Sequence, residues 1–233
     1  MSLGVSDQSK EAVILQTEVY SISKKHVPKS GMTISTNVKI GRTSMVHHFS
    51  LGRGTDISKE AYNNPVIYIG AYGTGMFDIG KDGNCKLPMN SQNIIFLYEG
   101  TWCGVNSVGE KGLIYTEILF EKEIKMNEIL KANEVFDLKS LIDYEEESIV
   151  NMDLVSGEGM KFMILSFDDG CMLSEHRAPG DALFFALEGK ATIGYEGKNY
   201  NIKEGENFRF EKNGLHSVKA EGKFKMALLL NKE

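Results

Sequence analysis

Basic residues are in the minority, proline and cysteine are scarce, and long apolar runs are missing from this 233-residue chain. Lys and Arg total 26 against 32 Asp and Glu, a net charge of −6, so neither nucleic acid nor an anionic membrane surface gains electrostatic support as a partner. No stretch approaches the ~20 apolar residues needed to cross a bilayer. Residues 1–10 read as a polar lead-in, without the basic and apolar regions of a secretory signal. The three cysteines, Cys85, Cys103 and Cys171, are odd in number and form no CxxC pair, which argues against a disulfide framework or a zinc knuckle and for a reducing cytoplasm. A Gly-rich phosphate loop, a nucleophile elbow and an HExxH motif are all absent, which weakens the nucleotide-binding and hydrolase readings. With 4 Pro against 24 Gly, the turns are built by glycine between short strands.

The chain repeats itself. Glu18-Val19-Tyr20 returns as Glu134-Val135-Phe136, Ser50-Leu51 as Ser166-Phe167, Gly54 as Gly170, Ser58 as Ser174 and Gly73 as Gly189, every pair 116 positions apart. A constant offset over more than fifty positions is the trace of a duplicated folding unit. Two units of roughly 100 residues are each large enough to bury a core. The expected division is a lead-in over residues 1–15, a first unit over 16–120, a linker over 121–133 and a second unit over 134–233.

Short apolar or alternating runs at 44–51, 66–71, 93–98 and 112–119 have counterparts at 161–167, 183–187, 207–211 and 223–230. In 207–211 and 223–226 the period is two, which predicts one face on a core and the other in water. Turn sequences separate the runs at residues 80–83, 196–199, 204–205 and 213–214. The expected fold class is therefore all-β, with each unit a small jelly roll or barrel. Only 121–133, with Ile124, Ile129 and Leu130 among Lys and Glu and no Gly or Pro, reads as a short helix.

The second unit carries a family resemblance. Gly170, His176 and Gly189, followed by Gly205 and His216, lie at the spacing of the two motifs of the cupin superfamily, and the unit resembles small bacterial cupins. The first motif is Gly, five residues, His-x-His, three or four residues, Glu, six residues, Gly. The second is Gly, five residues, Pro, one residue, Gly, two residues, His. Glu211 and Asn213 stand at the Pro and inner Gly positions, and Asn tolerates the left-handed backbone that such a turn needs. Through the repeat, the whole chain resembles a bicupin of two tandem double-stranded β-helix barrels. Single-barrel cupins usually dimerise, so the two halves are expected to pack as a pseudo-dimer within one chain, with further oligomerisation open.

The resemblance implies a divalent metal held by three His and one Glu inside a barrel. His176 matches the first histidine and His216 the last; the second falls on Ala178 and the glutamate on Ala182. Asp181 and Glu175 each neighbour a ligand position on a strand, where adjacent side chains face opposite ways. In the first unit the same positions are Glu60, Tyr62, Val66 and, after three extra residues near the hairpin at 81–85, Cys103. Of the adjacent His47 and His48, at most one can enter a barrel. His176 and His216 are thus either a polar pair lining a pocket or an incomplete site for Mn, Fe, Ni or Zn completed by other ligands. Two functions stand: a cytoplasmic bicupin binding a small molecule in its second barrel, and a metal-dependent isomerase or oxygenase using His176 and His216.

Overall fold

The computed structural model describes residues 17–41, 45–120 and 123–232. The expected lead-in over 1–15 therefore lies outside the described residues, as do positions 121 and 122 of the linker. Each half is a barrel of a six-stranded sheet facing a four-stranded sheet, all pairings antiparallel. In the first barrel the larger sheet centres on Val66–Gly73 between Leu113–Leu119 and Asn93–Leu97. In the second, Asp181–Glu188 lies between Phe224–Asn231 and Asn207–Phe210. The three extra residues of the first half fall in one hairpin: residues 80–84 connect Gly75–Ile79 to Cys85–Met89, where residues 196 and 197 alone connect Lys190–Tyr195 to Lys198–Lys203. In that tighter turn Glu196 and Gly197 both take positive φ, 47° and 75°, which suits the twist of the flanking strands.

Alternation along the central strands explains why they are apolar on both faces. Val66 and Tyr68 point into the first barrel, whereas Ile67 and Ile69 point out of it. In the second barrel Ala182, Phe184 and Ala186 face inward, and Leu183, Phe185 and Leu187 face outward. The outward sets of the two halves meet. Ile67, Ile94, Phe96 and Ile118 join Phe162, Ile164, Phe185 and Leu229 in one buried cluster between the barrels. Burying each such side chain contributes ~1.5–3 kcal/mol, so the contact between halves is a core in its own right.

Chain segments cross over as well. Val135–Asp137, which the sequence places in the second unit, pairs with Asn93–Leu97 of the first barrel. Reciprocally, Tyr20 bridges Asn207 of the second barrel.

Two expectations are corrected. The linker is not helical: Ile124–Met126 is a strand on the edge of the second barrel's large sheet, paired with Val155, Ser156 and Gly157. A turn follows, with Asn127 Nδ2 donating to the Asp153 carbonyl at 2.9 Å. Open strand edges outcompete a helix too short to be stable alone. Secondly, the polar faces of 207–211 and 223–226 reach water only at Glu211 and Lys223. Asn207, Arg209 and Lys225 are buried, because elements of the neighbouring unit and the segment before the barrel cover that face. Arg209 pairs with Asp181 at 3.3 Å and Glu211 at 3.1 Å, while Lys225 Nζ donates to the Lys139 carbonyl at 2.9 Å and lies over the Tyr144 ring.

Candidate functional site

His176 comes from Met172–Arg177 and His216 from Leu215–Ala220, neighbouring strands of the second barrel's small sheet. A register shift between Leu173 and His176 re-aims the chain just before the histidine, as bulges at barrel rims commonly do. The two residues end up directly opposite each other, with ring centroids 4.2 Å apart, and Phe210 packs 4.3 Å from the His216 ring. Both histidines line a cavity of about 210 Å³ whose other walls include Met163, Leu165, Met226 and Leu228. His216 is buried and His176 exposed, so one ring lies deep and the other at the rim.

Hydrogen bonding sets the proton on each ring. His176 Nδ1 lies 2.8 Å from the Ser174 carbonyl and His216 Nδ1 3.2 Å from the Gly214 carbonyl. A carbonyl only accepts, so both Nδ1 atoms donate and Nε2 is left as the lone pair of each neutral ring. Burial lowers the His216 pKa from its ordinary value, and His176 lowers it further, against the raising effect of the Gly214 bond.

Ala178 and Ala182 occupy the remaining ligand positions and are both buried. Asp181 is turned away, accepting from Gly41 N at 2.9 Å and Lys212 N at 2.8 Å, and Glu175 is exposed. Among the described residues no group of three or more His, Cys, Asp and Glu is placed to hold a metal. Two imidazoles in an otherwise apolar wall fall short of the three protein ligands of an ordinary catalytic site, so the residues present do not fit a firmly held divalent ion. Phe210 and Met226 line the pocket, Phe184 is buried in the barrel core outside its lining, and Met172 is 51% exposed.

The first barrel has a counterpart of different chemistry. Glu60 pairs opposite Cys103 as His176 does opposite His216, again after a register shift. Tyr62 Oη donates to Glu60 Oε1 at 2.8 Å, and His47 Nδ1 is 3.0 Å from Glu117 Oε1. His47 is thus the one of the adjacent pair that turns toward the barrel interior, while His48 is sealed on its outer face, bonded to Thr116 Oγ1. Phe49, Tyr68 and Tyr115 fill the space that is open in the second barrel, leaving only about 10 Å³. Burial raises the Tyr62 phenol well above its usual pKa, with Glu117 adding to it, and pushes the Cys103 thiol up to about 12. Cys103 is therefore a protonated, buried thiol. Glu117 escaped the sequence reading; its signal is a lone acid in the apolar run 112–119, on the same strand face as Leu113 and Tyr115.

The cupin domain family model matches residues 163–230. No match was found among curated proteins. A cupin 2 conserved barrel domain protein from Leptotrichia buccalis shares 26% identity over 95% of this chain and 99% of its own, with a TM-score of 0.82. A salicylate 1,2-dioxygenase variant from Pseudoaminobacter salicylatoxidans shares 10% identity over 92% of this chain and 83% of its own, with a TM-score of 0.66. Oxalate decarboxylase from Bacillus subtilis, a protein with Mn(II) centres, shares 10% identity over 93% of this chain and 78% of its own, with a TM-score of 0.51. The last two show the fold alone. With the duplicated barrel and the matching domain together, the second barrel carries a cupin domain and the whole chain has the fold of two-barrel cupin proteins.

Proposed function

We propose that this chain binds a small, mainly apolar molecule in the second barrel, with His176 and His216 as the polar end of the pocket. The observation that carries the reading is the contrast between the barrels: about 210 Å³ of open, apolar-walled space beside the histidine pair, against about 10 Å³ at the equivalent place in the first. A cavity of that size and lining suits a compact ligand, and a few placed polar groups orient it. The first barrel then acts as a structural partner. Three free thiols suit a reducing compartment such as the cytoplasm.

The isomerase or oxygenase reading requires an ion, and the donor set does not supply one with enough ligands; ligand binding without metal needs nothing that is missing. The test is a melting screen of small apolar compounds on the wild type and on Ala182→Leu, which puts a larger side chain into the cavity. A ligand at a hundredfold excess over Kd stabilises by about 2.7 kcal/mol, enough to raise the melting temperature by several degrees. Shifts in the wild type that vanish in Ala182→Leu support the reading. No shift from any compound, or shifts that survive the substitution, overturn it.

A further inference from the structure

We infer that the ligand of the second barrel meets the two histidines with a hydrogen-bond donor, a neutral hydroxyl or amine on a body about the size of a single ring, and that carboxylates are excluded. The inference rests on the proposed pocket and names what enters it.

Both imidazole protons are committed. His176 Nδ1 donates to the Ser174 carbonyl and His216 Nδ1 to the Gly214 carbonyl, so the polar atom each ring has left is the Nε2 lone pair. The remaining lining residues are apolar side chains such as Leu165, Val218, Leu228 and Leu230, with no Lys, Arg, Ser, Thr, Asn or Gln among them. The cavity therefore offers two acceptors and no side-chain donor. An O–H or N–H entering it gains a partner. A carboxylate would lose its hydration, find no cation among the lining side chains, and place its lone pairs against those of the rings.

Charging the rings would turn them into donors, and burial works against this at His216. Size adds a second limit. An apolar cavity of about 150 Å³ holds a benzene molecule, so about 210 Å³ holds a ring with one or two further heavy atoms. Arg177, the nearest cation in sequence, donates instead to the Asn213 carbonyl at 2.7 Å and is exposed outside the cavity wall.

The experiment is titration calorimetry at pH 7.5 in EDTA with matched compounds: phenol, benzyl alcohol and cyclohexanol, then benzoate, phenylacetate and cyclohexanecarboxylate, with toluene as the ring that has no polar group. The expected result is binding by at least one alcohol or phenol, about tenfold weaker binding by toluene, and no heat from the carboxylates. His216→Leu, which keeps the wall apolar, is expected to abolish the preference over toluene while toluene still binds. Carboxylate binding equal to or tighter than that of the hydroxyl compounds overturns the donor inference alone. So does carboxylate binding that appears only when a divalent metal replaces EDTA, since the ion would then bridge ligand and rings. Binding by none of the compounds overturns the pocket reading and this inference with it.

Discussion

The backbones of Tyr20 and Asn207 bond to each other in both directions across the two halves, Tyr20 N to Asn207 O at 3.0 Å and Asn207 N to Tyr20 O at 2.7 Å. Its mirror is Phe136 beside Ile94, the same two positions with the halves exchanged. Each barrel thus completes its large sheet with the segment that precedes the other barrel. The Asn207 side chain reinforces the joint, donating to the Phe184 carbonyl at 3.2 Å and accepting from Ile22 N at 3.4 Å.

The two halves should therefore unfold as one unit. Phe162 lies in the shared cluster, fully buried and 6.5 Å from the Phe185 ring. Phe162→Ala is expected to cost about 3–5 kcal/mol and to move a single transition in urea. Two transitions, only one of them displaced, would show that the barrels are energetically independent.

Removing Asn207's side chain strands two buried backbone groups. Asn207→Leu should cost about 2 kcal/mol, since an unsatisfied buried polar group forfeits its hydration without a replacement bond. Chemical denaturation measures it, and a loss below half a kcal/mol would mean that the joint is held by the backbone bonds alone.

His48 makes stability depend on pH. Burial depresses its pKa from 6.5 to about 3, with His26 and His47 lowering it further, and its Nδ1 bonds Thr116 Oγ1 at 3.0 Å. The folded protein keeps this ring neutral while the unfolded chain protonates it below about 6.5. Stability is therefore full above that pH and falls by about 1.4 kcal/mol per unit as pH drops toward 3. Between pH 7 and pH 5 the wild type should lose about 2 kcal/mol more than His48→Gln. Equal losses in the two proteins would place the acid sensitivity elsewhere.

Metal should matter little to folding. A two-imidazole site binds micromolar Mn, Fe, Ni or Zn too weakly to stabilise by mass action, so melts in EDTA and in added metal are expected to coincide. A rise of many degrees that His176→Ala abolishes would reveal a complete site and move the enzyme reading ahead.

Cys103 should resist alkylation. With its thiol pushed up to about 12, iodoacetamide at pH 8 ought to modify the half-buried Cys85 and Cys171 first, as peptide mass mapping can follow. Early labelling of Cys103 would contradict its placement inside the barrel.

The duplication, the all-β class, the cupin motifs and the pairing of His176 with His216 were all legible in the chain, because spacing and period are local properties that each half states separately. Even the left-handed turn at Asn213, φ 65°, could be read from the residue type. What lay beyond reach were properties of assembly. The linker segment Ile124–Met126 is a strand because the second barrel has an edge for it, and Asn207, Arg209 and Lys225 are buried because the segment before the barrel and elements of the other half cover them. The difference between an open second barrel and a filled first one depends on which rings pack inward, Phe49, Tyr68 and Tyr115 against Leu165, Phe184 and Leu228. Burial and cavity volume are sums over elements distant in sequence, so only the tertiary structure decides them.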